Sequence, residues 1–403
     1  MIRYLFLISL FINGVGSSIL AVGYPYILLS ENMPMTYYYG NMGIIFLFTS
    51  IGALLWGYKI DYSADIWQFR IVILLFEIFS TLSLLVLLLS KITFSPIMLL
   101  LFISLLEFLF AYEIPWSRVA WHELNDWTEQ QGGKHVNVSL YIVIATSLIS
   151  ALGPGFGALL GMTQGIETIV TIKLFSLLPY FYLCYLMMRM QIKRTTAQKT
   201  QSPVGLRSVF QQNYYKVFAI TVIFAIFANA FLMVSLPVVV MESLGNKGYG
   251  LVTLFYVLSA LIPILCTTLL SKTRVDHRIQ RYSVSIFIAM FIFGILFFQL
   301  PLFYAKAFFY LLYNMAIIYF NILITKAIYQ KGLEMQQGRL FSLFQITMNF
   351  SFPIAAITVS IAPDSTQHFL PAMGFSLFLL IAIAVYLIIQ MNKVPAPIHD
   401  WRR

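Results

Sequence analysis

Apolar stretches of about 20 residues recur from one end of this chain to the other, and charged residues mark where each one stops. An α-helix rises 1.5 Å per residue, so about 20 apolar residues cross the ~30 Å hydrocarbon layer of a bilayer. No charge lies between Arg3 and Glu31, Glu31 and Lys59, Lys134 and Glu167, Lys216 and Glu242, or Lys247 and Lys272. The same holds from Arg281 to Lys306, Lys306 to Lys326, Arg339 to Asp364 and Asp364 to Lys393, which gives nine windows long enough to span. Three more are interrupted: 71–90 by Glu77, 96–117 by Glu107 and Glu113, and 167–188 by Lys173 near one end. The pattern therefore predicts twelve spans. The sixth rests on the shortest uninterrupted run, Leu174 to Met188. The first run is too long for the apolar part of a signal peptide, and no small-residue cleavage site follows it, so it reads as a retained helix.

The longest polar connection, 189–216, carries Arg189, Lys193, Arg194, Lys199, Arg207 and Lys216 and divides six spans from six. The expected architecture is an all-α membrane protein: twelve transmembrane helices as two pseudo-symmetric six-helix bundles (6+6). The bundles cover 1–190 and 216–403, with a basic linker at 191–215. Paired bundles of this kind work by alternating access.

Composition agrees. Of 403 residues, 60% are hydrophobic and 10% charged, against roughly 25% charged in soluble domains. That excludes a soluble enzyme, a disulfide scaffold and a disordered chain. The net charge of +10 would suggest nucleic acid in a soluble protein. Here 21 of the 25 Lys and Arg fall in the termini and the even-to-odd loops. By the positive-inside rule both termini are cytoplasmic, the protein is multi-pass in the cell (inner) membrane, and no nucleic acid is a partner. The two cysteines, Cys184 and Cys266, lie in apolar runs, and the five histidines lie in or beside polar connections. No metal site or cofactor is expected from them.

Three segments give the chain a resemblance to the major facilitator superfamily, over its whole length through the 6+6 layout. Gly57-Tyr-Lys-Ile-Asp61, followed by Arg70 at the start of span 3, is similar to the loop pattern Gly-x-x-x-Asp-Arg-x-Gly-Arg-Arg. Tyr62 and Ala64 stand where Arg and Gly are usual. The resemblance implies a conformational latch in which Asp61 caps the start of span 11 near Gly338-Arg339, with Gly57, Asp61, Arg70 and Arg339 as its parts. Gly153-Pro154-Gly155-Phe156-Gly157-Ala158 resembles the Gly-Pro-x-x-Gly-Gly element of drug/proton antiporters, and Gly161 extends its small face. Gly338-Arg339-Leu340-Phe341 looks like a segment of the macrolide-efflux and siderophore-exporter branch. One departure matters: where relatives carry an Arg in span 4 followed four residues later by Gly, this chain has Glu107 and Ala111. The family precedent is a monomer.

Three acids lie inside the spans: Glu77, Glu107 and Glu113. An ionised carboxylate at mid-bilayer costs about 2.5–3.5 kcal/mol on insertion scales, so each needs a partner, water or a proton. Glu107, near mid-depth of span 4, is the candidate proton carrier, with Glu113 second; as a continuous helix the two sit about 240° apart. Glu113 is paired with Arg118, and Glu77 reads as structural. No Lys or Arg is expected deep in any span. That predicts a neutral-to-negative cargo path, which suits a neutral or cationic amphipathic molecule and disfavours small anions. Candidate cargo contacts are Tyr24, Asn229, Asn314, Asn321, Gln345 and Asn349. Asn314 and Asn321 share a helix face, as do Gln345 and Asn349. Trp116, Trp121 and Tyr37-Tyr38-Tyr39 read as interfacial aromatics.

These readings converge on a proton-coupled exporter of a small molecule such as a drug. The alternatives are a dedicated exporter of a siderophore or peptide antibiotic, or an importer on the same fold. A polytopic membrane enzyme is disfavoured, because no metal-binding acidic cluster or membrane-embedded histidine is present. No ATP-binding loop exists, so a gradient must supply the energy.

Overall fold

The computed structural model describes residues 2–190, apart from 32–34, 64, 91–94 and 134–137, then Ile192, residues 302–316 and isolated positions from 258 to 353. Within the first 190 residues it is entirely helical: α1 (Ile2–Ser30), α2 (Met35–Tyr62), α3 (Ile66–Leu89), α4 (Pro96–Phe110), α5 (Glu113–Gln130), α6 (Val138–Thr163) and α7 (Ile166–Arg189). Six helical stretches among the described residues are long and apolar enough to cross a membrane, α4 and α5 together forming one of them. The sixth, α7, runs unbroken through Lys173. Residues 303–316 are also helical. The other spans expected after 190 and the linker at 191–215 fall almost wholly outside the described residues.

Local chemistry sets the helix ends. Asp65 caps α3, its carboxylate accepting from the backbone N–H of Trp67 (3.0 Å) and Gln68 (2.9 Å). Ser95 caps α4 with Pro96 in the first turn, where a missing N–H costs nothing. The fourth span breaks at Ala111-Tyr112. Pro115 has no N–H to give the carbonyl of Ala111, and Tyr112 N–H bonds to Leu109 (3.3 Å) instead of Phe108. The Phe108 carbonyl is taken by the indole N–H of Trp56 on α2, at 2.9 Å.

Helix α1 lies at the centre and packs most extensively on α6 and α7. The Gly-Pro-x-x-Gly element is part of that contact. A Cβ on Gly157 would come within 3.1 Å of the Ile19 carbonyl oxygen, and one on Gly161 would fall on the Gly23 carbonyl oxygen. The glycines let two backbones approach where any side chain would hold them apart. Pro154 sits inside α6, which continues past it. On the bundle's outside, α3 exposes Phe76 and Phe79 as a lipid-facing surface would.

Two apolar clusters fill the interior. At the end carrying the N-terminus, Phe6, Trp67, Trp116, Trp121, Leu124 and Met187 form one. At the far end, Ile19, Leu20, Leu28, Leu84, Ile103 and Val170 form the other. Trp116 and Trp121 are thus core residues stacked with Phe6 and not an interfacial belt. Of the three tyrosines at 37–39, only Tyr37 is exposed.

Candidate functional site

Between the two clusters lies a group of buried charges drawn from four helices. Arg70 on α3 is fully buried and bridges Glu77, one helix face along at 3.0 Å, and Glu113 at the start of α5. Tyr180 of α7 donates its hydroxyl to the other Glu113 oxygen. Lys173 of α7, 1% exposed, lies 3.7 Å from the second Glu77 oxygen and donates to the Ser17 hydroxyl of α1. Glu107 of α4 is 5% exposed, one of its carboxyl oxygens has no hydrogen-bond partner, and the Lys173 and Glu77 charges act on it.

Aromatic rings complete the setting. The Arg70 guanidinium lies over Tyr180 (5.3 Å), Tyr112 (5.5 Å) and Trp116 (5.7 Å), and Lys173 over Phe110 (5.0 Å). A desolvated cation over a ring gains about 2 kcal/mol. The rings replace part of the hydration that burial removes.

This arrangement corrects expectations about the buried bases and about Glu113. Arg70 and Lys173 are deep in the bundle, so bases do occur inside the spans. Lys173 was placed at a rim because it is the eighth residue of α7, but the tight α1–α7 contact beside Gly16 draws it inward. Glu113 pairs with Arg70 and not with Arg118, because the helix break turns its side chain toward α3. Arg118 instead lies over the ring of Phe341, at 4.9 Å, a contact between α5 and the segment expected to enter span 11. Arg70, a latch candidate, is buried and paired with Glu77 and Glu113. Glu77, read as merely structural, is the carboxylate that both bases share. Asp65 caps the start of α3. The Asp61 side chain and Arg339 lie outside the described residues, and Gly57 is buried in the last part of α2.

The cargo candidates are scattered. Tyr24 is buried at the far end and donates to the Pro96 carbonyl at 2.9 Å, tying α1 to α4. Asn314 bonds within its own helix to the Tyr310 carbonyl (2.9 Å). Gln345 and Asn349 touch, as their spacing predicts, at 2.8 Å. Asn229 and Asn321 lie outside the described residues. No group of three or more metal-ligating side chains occurs among the described residues.

The whole fold has close solved counterparts. A bacterial homologue of the iron transporter ferroportin, in an outward-facing state with soaked iron, matches with TM-score 0.69 at 13% identity, covering 98% of this chain and 100% of that one. A second structure of a bacterial ferroportin homologue in an outward-facing state gives 0.66 at 16% identity, covering 98% of this chain and 100% of that one. The human organic anion transporter MFSD10 (TETRAN) gives 0.71 at 10% identity, covering 95% and 98%. The chain shares its fold with these transporters. No protein-family model matches the chain, and no curated protein matches it in sequence. Likeness at this identity shows the fold, and the cargo must be argued from the site.

The sequence reading missed Lys173, Ser17 and Tyr180 as site residues. Two signals were available. Arg70 and Glu77 are seven apart, hence on one helix face. Three acids in the spans with no assigned base are also an unbalanced charge that the fold has to answer.

Proposed function

We propose that the chain is a proton-coupled secondary exporter that moves a neutral or cationic amphipathic small molecule by alternating access. The working unit is a monomer of twelve spans, 1–190 and 216–403 rocking about the linker at 191–215, in the cytoplasmic membrane with both termini inside. The observation that carries this reading is Glu107: a buried carboxyl with an unpartnered oxygen, within the field of the Lys173 ammonium that lies 3.7 Å from Glu77. A carboxylate so placed is costly and a protonated one is not, so the proton on Glu107 changes the energy of the site. Uptake of that proton from outside and its release inside would drive cargo the other way. The small-anion exclusion now rests on a different footing: Arg70 and Lys173 exist, but both are committed to carboxylates. The glycine contact between α1 and α6 supports the drug-antiporter likeness. The Arg118–Phe341 contact, on the cytoplasmic side in this orientation, would close that side in the outward-facing state.

The solved counterparts carry iron and organic anions, so the fold does not choose a cargo. A dedicated exporter of a siderophore or peptide antibiotic keeps the same proton step. The test is transport into inverted vesicles under an imposed pH gradient, with ethidium and a panel of antibiotics as probes. Glu107→Gln should abolish gradient-driven uptake, at least tenfold, while leaving protein yield unchanged. Equal uptake by parent and variant would sink the proton-carrier reading.

A further inference from the structure

We infer that Lys173 is a positioning residue that transmits the protonation state of Glu107 to α1, by dividing its charge between Glu77 and Glu107 while holding Ser17. The inference rests on the proton-carrier reading of Glu107. It adds the residue that makes the proton felt elsewhere in the bundle.

The charge balance of the cluster turns on Glu107. With Glu107 protonated, Arg70 and Lys173 balance Glu77 and Glu113, and the cluster is neutral. Loss of that proton to solvent adds one negative charge next to Lys173. At buried sites an uncompensated charge costs several kcal/mol, so the ammonium is pulled from Glu77 toward Glu107. Its hydrogen-bond partner is the Ser17 hydroxyl on α1. At this point α1 and α7 are in backbone-close contact beside Gly16, so a shift of the Lys173 side chain displaces its α1 partner. Helix α1 also holds α6 through Gly157 and Gly161, so a movement begun at Ser17 reaches a second helix.

The surrounding elements leave few other charges to answer the proton. The one charge on α1 is Arg3, in its first turn and bonded to Asn125 at 3.0 Å. Helix α2 carries Lys59 and Asp61 in its last turn, and α6 carries no charge. Helix α3 contributes Arg70 and Glu77, and α4 Glu107 itself. Helix α5 contributes Glu113, with Arg118 turned to Phe341, and carries His122, Glu123, Asp126 and Glu129 farther along. Helix α7 contributes Lys173, with Tyr180 and Cys184 beside Arg70 and Glu113, and Glu167 and Arg189 at its two ends.

The experiment needs no cargo. Trp56 bonds to the carbonyl of Phe108, next to Glu107, so tryptophan fluorescence of the full-length protein in nanodiscs reports on the site. The parent should show a transition between pH 5 and 9. Lys173→Gln removes a cation from Glu107 and should move its midpoint up by about one pH unit. Glu77→Gln frees Lys173 for Glu107 and should move it down by a similar amount. The double variant restores the parent's charge balance and should return the midpoint to within a few tenths of a unit. It also covers the case in which Lys173→Gln alone does not fold. Opposite shifts that cancel are not produced by a merely structural Lys173. Single variants with unmoved midpoints, or shifts of the same sign, overturn the inference. A transition that survives in Glu107→Gln overturns the proton-carrier reading beneath it, and a parent with no transition overturns both.

Discussion

At the end of the bundle bearing the N-terminus, Trp67, Tyr112, Trp116, Trp121 and Tyr180 surround Arg70 and Glu113. At the far end, Leu20, Leu28, Ile45, Leu84, Ile103, Leu106, Ile169 and Val170 pack with Tyr24 as the one buried aromatic of their cluster. Both ends are equally dry. The difference is in what each side chain offers a charge. Aromatic faces and their polar edges accept a guanidinium and donate to a carboxylate, whereas aliphatic groups do neither. The charged layer is therefore held by specific pairings. The aliphatic layer is held by close fit, because a bilayer supplies no hydrophobic drive between helices.

Removing one pairing should show the contrast at its largest. Arg70→Met leaves Glu77 without its short contact and Glu113 with only Tyr180. Removing one partner of a buried ion pair costs about 3–5 kcal/mol. Thermal unfolding of the detergent-solubilised protein, followed by fluorescence-detected size exclusion, should show a large drop in midpoint. Glu113→Gln in the same chain should recover part of it, since one stranded charge is then gone. A stable Arg70→Met protein would mean that the rings, not the ion pairs, set the geometry of this layer.

The far end should break through shape instead. Gly161→Ala puts a methyl group onto the Gly23 carbonyl oxygen, and backbone cannot turn aside as a flexible side chain does. Overpacking of this kind costs about 1–3 kcal/mol. The same measurement should give a smaller drop than Arg70→Met. A Gly161→Ala midpoint equal to the parent's would show that α1 and α6 have slack at this height.

The sequence made the helices legible and left the pairings hidden. Charge-free runs located three of the six stretches of the first half and apolar windows with one or two charges the other three, because hydropathy is a local property and a bilayer demands length. The small face at Gly153, Gly157 and Gly161 was legible too, since residues four apart share a helix side. What a buried charge touches depends on which helices are neighbours, and one chain's pattern does not state that. Lys173 reads as a rim residue by its position in α7 and becomes a core residue only once α1 and α3 are beside it. Glu113 reads as facing away from Glu107 on a continuous helix, and the break before Pro115 changes its direction. Asp65 caps α3 because its carboxylate reaches the free backbone N–H groups of Trp67 and Gln68 in the first turn.

Tyr24 separates packing from transport at the smallest scale. It was a cargo candidate from its polar tip in span 1. In the fold its hydroxyl is spent on the Pro96 carbonyl, where α4 begins. Tyr24→Phe keeps the ring and loses that hydrogen bond, a net cost of about 1 kcal/mol. The unfolding midpoint should fall by a degree or two, the least of the three variants. Transport of any cargo found in the vesicle assay should keep its apparent affinity within about twofold, because the hydroxyl is turned to backbone. A tenfold loss of affinity with an unchanged midpoint would put Tyr24 on the cargo path. It would also show that the aliphatic end of the bundle opens to a ligand in a state where the Pro96 contact is released.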